Sequence, residues 1–115
     1  MNRENLKKLQ KILIEFFVIL NYSKITFENI NKKIRHNKTL EALIKLMDDS
    51  TYKILFDLLE EYIKYNKDLP NNNLLNYYFL EFHKNKKIQI KFWYREKTLL
   101  KYILMRVNQD LKNTV

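Results

Sequence analysis

Not one of the 115 residues is glycine. Glycine is the residue that takes positive φ without steric penalty and lets a backbone approach a ligand closely. A chain without it must put asparagine wherever a left-handed turn is needed. Asn21, Asn37, Asn66, Asn71, Asn72, Asn73 and Asn85 are the positions available. The same absence removes the P-loop, the dinucleotide-binding fingerprint and the GxSxG nucleophile elbow. Cysteine is also missing. That removes disulfides and thiolate metal centres and fits a reducing compartment.

Length and apolar content are those of one domain, residues 1–115, with a real core. The densest apolar run, residues 12–20, is interrupted only by Glu15. It is far shorter than the roughly 20 residues a membrane-spanning helix needs. No small-residue cleavage site follows it. The run therefore reads as the core of a helix in a cytoplasmic protein with no membrane attachment.

Periodicity predicts that helix over residues 3–21. Leu6, Leu9, Leu13, Phe16, Phe17 and Leu20 share one face, widened by Ile12 and Ile19. Ile14 and Val18 lie off that face, where cover by a second element is expected. Residues 22–25 read as a short link. Thr26 is a plausible cap for a short helix carrying Phe27, Ile30 and Ile34, and Thr39 caps another with Leu40, Leu43, Ile44 and Met47 facing inward. Asp48-Asp49-Ser50-Thr51 then opens a helix with Tyr52, Leu55, Phe56, Leu59, Tyr62 and Ile63 on one side, the cleanest amphipathic pattern in the chain. Residues 68–73 form the strongest loop. A last helix over 97–112 buries Leu99, Leu100, Ile103, Leu104, Val107 and Leu111, leaving Tyr102 and Met105 outside its apolar face.

From Asn76 the period changes to two. Tyr78, Leu80 and Phe82 alternate with Tyr77, Phe79, Glu81 and His83. Ile88, Ile90, Phe92 and Tyr94 alternate with Lys87, Gln89, Lys91, Trp93 and Arg95. A three-residue loop at 84–86 brings the apolar faces into register, so residues 76–95 read as an antiparallel β-hairpin. The competing assignment makes 73–84 a helix. The fold class expected is mainly α (α+β): about five helices around a central N-terminal helix, with one hairpin.

Catalytic parts are sparse. His36 and His83 sit in separate turns, and Ser23 and Ser50 are turn and cap residues. No cofactor, metal or enzymatic activity is expected. Binding is the better prospect, because the formal net charge is +9. A basic balance suits an anionic partner, although lysine-, asparagine- and isoleucine-rich composition is also what an AT-rich genome encodes. Residues 26–46 resemble a helix-turn-helix, whose second helix would present Lys38, Thr39 and Lys45 to nucleic acid, flanked by Lys32 and Lys33. The hairpin tip, Lys84, Lys86 and Lys87, would contact phosphates as a wing. The other hairpin face, Tyr77, Phe79, Lys91, Trp93 and Arg95, interleaves aromatic and basic residues, as single-strand binding sites and protein hot spots both do.

Two function classes follow. One is a small basic nucleic-acid-binding protein, for DNA or RNA. The other is a protein-binding modulator of a host factor, of the kind a phage, virus or mobile element encodes. A homo-oligomeric structural subunit is a third.

Overall fold

The computed structural model describes residues 1–30, 47–77 and 85–113, and for 22–30 the backbone alone. The described residues form five helices: α1 (Arg3–Ile30), α2 (Asp49–Tyr65), α3 (Asn72–Asn76), α4 (Lys86–Arg95) and α5 (Lys97–Asn113). The chain is mainly helical, and no strand is found among the described residues.

Three of the helices begin where a side chain satisfies orphan N–H groups. Asn2 Oδ1 accepts from Asn5 N–H at 2.8 Å before α1. Asp48 Oδ1 accepts from Thr51 N–H at 3.0 Å and starts α2. Asn85 Oδ1 accepts from Ile88 N–H at 3.1 Å and starts α4. Glu96 alone separates α4 from α5. Its N–H closes α4 on Phe92 O, and its carbonyl receives Leu100 N–H to open α5. The glycine-free chain makes its left-handed turn at Asn71 (φ 55°), the one positive φ among the described residues. Asn66 and Asn85, at φ −109° and −101°, act as caps instead.

Helix α1 packs against both α5 and α2. Met1 and Leu6 line one cavity with Tyr62, Tyr65, Asp110 and Asn113, so α1 starts where α2 and α5 end and runs opposite to both. The core is one contiguous cluster. Leu6, Leu9, Ile12, Leu13, Phe16 and Leu20 from α1 meet Leu55, Leu58, Leu59, Tyr62 and Ile63 from α2, and Leu99, Leu100, Ile103 and Val107 from α5. Burying each of the larger side chains contributes about 1.5–3 kcal/mol. Polar links fix the pairing: Gln10 Nε2 donates to Asn108 Oδ1 at 2.6 Å, and Tyr62 Oη donates to Asp110 Oδ2 at 2.7 Å. Arg106 ties α5 to the loop after α2 through Asp68, at 3.1 Å.

Three expectations need correction. The hairpin over 76–95 is not formed: its second strand is helix α4, and Asn76 ends helix α3. Residues 78–84, the rest of its first strand, lie outside the described residues. Alternation of apolar residues suited a strand, but Asn85 supplies a helix cap, and the buried set Gln89, Ile90, Phe92 and Trp93 has helical spacing. The break at 22–25 is also absent, because α1 continues to Ile30. Neither glycine nor proline occurs there, and Ser, Ile and Thr lower helix propensity by only tenths of a kcal/mol each. Ile14 and Val18 are not covered; they are 46% and 59% exposed. The helix expected from Thr39 lies outside the described residues, apart from Met47, which is buried.

Candidate nucleic-acid interface

Of the positions expected to meet nucleic acid, Lys32, Lys33, Lys38, Thr39, Lys45 and Lys84 lie outside the described residues. Lys86 and Lys87 are described, and they diverge. Lys86 Nζ donates to Met47 O at 2.7 Å and to Asp49 Oδ1 at 2.8 Å. It also stands 5.8 Å from the centroid of the Tyr52 ring. It is therefore a tie between the start of α4 and the start of α2. Lys87, its neighbour, is exposed.

The aromatic and basic face is divided in the same way. Trp93 is buried at 1% exposure and meets Phe92 edge-on, with ring centroids 4.8 Å apart. It is a core side chain and forms no surface patch. Tyr77 is half exposed at the end of α3, and Phe79 lies outside the described residues. Lys91 and Arg95 are exposed on α4.

What α4 does assemble is a row. Lys87, Lys91 and Arg95 stand at i, i+4 and i+8, so they follow one face of the helix. Steps of about 6 Å along the axis separate them. None of the three has an ion-pair partner among the described residues. The opposite side of α4 is held in the core by Ile90, Phe92 and Trp93 and by buried Gln89, whose Oε1 accepts from Tyr52 Oη. Burial pushes the Tyr52 phenol pKa well above its ordinary value. It thus stays a donor to Gln89 at neutral pH.

Beside the row lies a cavity of about 350 Å³ lined by Leu74, Ile88, Lys91, Phe92, Arg95 and Glu96. Leu74, Ile88 and Glu96 were not among the expected site residues. The signal that finds Ile88 is a helical reading of 85–95, which places it one turn from Lys91 and two from Arg95. Leu74 carries no such signal, because α3 is too short to show a period.

Acidic charge gathers elsewhere. Asp49, Asp57 and Glu60 line a groove of about 710 Å³ along α2 with Tyr52, Phe56, Lys53 and Lys86. Glu60 is paired with Lys64 at 2.7 Å, the solvated i,i+4 pairing expected on such a face. Among the described residues no group of three or more His, Asp or Glu side chains is placed to hold a metal ion. No helix there is long and apolar enough to cross a membrane.

No family model matches the sequence, and neither a curated protein nor a solved structure matches it.

Proposed function

We propose that the chain is a small non-enzymatic nucleic-acid-binding protein that contacts phosphates through the exposed face of α4. The carrying observation is the row Lys87, Lys91 and Arg95, exposed and without described acidic partners, on a chain of net charge +9. Such a row binds a polyanion by displacing its condensed counterions, so affinity falls steeply with salt. Three phosphate contacts give a log–log salt slope of about −2 to −3. Mobility shift with DNA and RNA across salt tests this. Retardation at low salt is expected, and joint replacement of Lys87, Lys91 and Arg95 by glutamate should abolish it. No retardation at low salt would sink the reading.

A second reading, a modulator that binds a host protein, is favoured by exposed Ile14 and Val18 on α1. It expects partner capture that survives salt and is lost in Val18→Asp. Capture that is unchanged in that variant counts against it.

A further inference from the structure

We infer that the cavity between α3 and α4 takes the bases of a single-stranded nucleic acid whose phosphates lie along Lys87, Lys91 and Arg95. This rests on the nucleic-acid reading above and narrows it from any polyanion to an unpaired strand.

The argument begins with how little of α4 is free. A helix that reads a duplex enters the major groove and presents side chains to base edges there. Here Gln89, Ile90, Phe92 and Trp93 are all buried. One face remains, and its cations are suited to phosphates. That face offers a straight line of cations with a spacing of the same order as the phosphate repeat of an extended strand.

The second element is the cavity on the flank of the row, where Leu74, Ile88 and Phe92 supply apolar lining beside the charged Lys91, Arg95 and Glu96. A duplex keeps its bases stacked inside and has no use for such a cavity. A single strand exposes a flat apolar base at every phosphate, and burying one against protein is favourable for any sequence. Leu74 lines the cavity and is 39% exposed. Lys91 and Arg95 belong both to the cationic row and to the cavity wall. A strand bound to the row therefore presents its bases to the cavity without turning. The volume, about 350 Å³, falls at the small end of ligand sites. Glu96, on the same wall, adds an acceptor suited to the exocyclic amino groups of bases. With two cations against one carboxylate on the lining, the phosphates of an anionic strand are favoured beside the cavity.

The test is fluorescence anisotropy with the full chain. The probes are labelled oligonucleotides of about 12 nucleotides, as DNA and RNA single strands and as the matching duplex. Single strands are expected to bind about tenfold more tightly than duplex, the scale of one stacked base. Leu74→Ser removes apolar surface from the cavity lining without adding a charge beside the row. It should weaken single-strand binding about tenfold and leave duplex binding unchanged. If that variant melts early, Leu74→Ala replaces it, with the same direction expected. Duplex binding as tight as single-strand binding, or a Leu74 variant with full single-strand affinity, overturns this inference and leaves the phosphate reading standing. Failure of every oligonucleotide to bind overturns both. Competition by polyglutamate as effective as by unlabelled single strand also overturns it, and points to an acidic protein partner.

Discussion

Helices α2 and α4 place aromatic side chains into the same core, Tyr52, Phe56 and Tyr62 from one and Phe92 and Trp93 from the other. They differ in how their sequences state it. In α2 the buried positions recur at i, i+3, i+4 and i+7 with charges between them, so the helical period is plain. In α4 the sequence alternates, with Lys87, Gln89 and Lys91 set between Ile88, Ile90 and Phe92, and that period is two. The structure resolves the conflict by burying Gln89 and Trp93 and leaving Ile88 only partly covered. A strand would have needed a partner and a second covering layer. A helix needs only its cap, Asn85, and one face toward α5 and Tyr52. Local β-propensity was real in this stretch and tertiary packing overrode it.

The largest test of that comparison is Trp93→Ala. If α4 belongs to the common core as fully as α2, the substitution should cost about 3–5 kcal/mol, as truncations of buried aromatics do. Leu59→Ala in α2 should cost about 2–5 kcal/mol. Urea unfolding of both variants gives the comparison. A Trp93 variant within about 1 kcal/mol of the parent would make α4 a peripheral flap.

That outcome bears on how much could be read in advance. Core residues of α1, α2 and α5 were legible because single amphipathic faces with intact caps leave one solution. Asp48 lay in the run expected to open α2, and Asn71 was one of seven asparagines that the lack of glycine left for left-handed turns. The site was much less legible. Lys87, Lys91 and Arg95 were named, but on a hairpin whose alternation would have put Trp93 beside them. Reading Asn85 as a cap turns Trp93 inward and lines the three cations up. The length of α1 was hidden for a different reason. Asn21, Ser23 and Thr26 suit caps and turns, and only the cooperative propagation of an established helix carries the chain past them.

A smaller effect probes the polar contact that joins the two helices. Tyr52 Oη donates to buried Gln89 Oε1. Tyr52→Phe leaves that acceptor unpaired and should cost about 1–3 kcal/mol. Adding Gln89→Leu removes the orphan and should restore much of the loss, a non-additivity a double-mutant cycle reads directly. Burial of Tyr52 also contributes to an alkaline limit, shared with the buried phenol of Tyr62. Burial raises the Tyr52 pKa above the ordinary 10.0. The folded state therefore keeps a proton that the unfolded chain releases. The associated stability is full below about pH 10 and declines as pH rises beyond it. Tyr52→Phe should flatten that decline, and an unchanged alkaline profile would show that Tyr52 does not control it.

The caps give a finer contrast. Asn85→Ala should cost about 1 kcal/mol at any pH, since the amide does not ionise. Asp48 differs. Its hydrogen bonds with Thr51 hold its pKa below the ordinary 3.8. Its folded pKa is thus depressed, so the stabilisation is present above 3.8 and is lost as pH falls through the lower folded value. The gap between the parent and Asp48→Ala should shrink in acid, while the gap to Asn85→Ala stays constant. Parallel acid profiles for the two variants would mean that the carboxylate of Asp48 adds nothing beyond a neutral cap.

The smallest expected effect is on α1, where buried and exposed apolar residues alternate within single turns. Leu13 has 0% exposure and Val18 has 59%. In the isolated monomer Val18 is already in water, so Val18→Ser removes no buried contact and should change stability by no more than about 0.5 kcal/mol. Leu13→Ser buries a hydroxyl in place of packed methyl groups and should cost several times more. The pair becomes informative when both are measured at low and high protein concentration. If Val18→Ser stays neutral throughout, the strip is ordinary exposed surface. If its cost grows with concentration, a second copy of the chain covers Ile14 and Val18, and stability is linked to association by mass action. Sedimentation of the parent and of Val18→Ser then separates these cases, because only the parent should shift to a larger species.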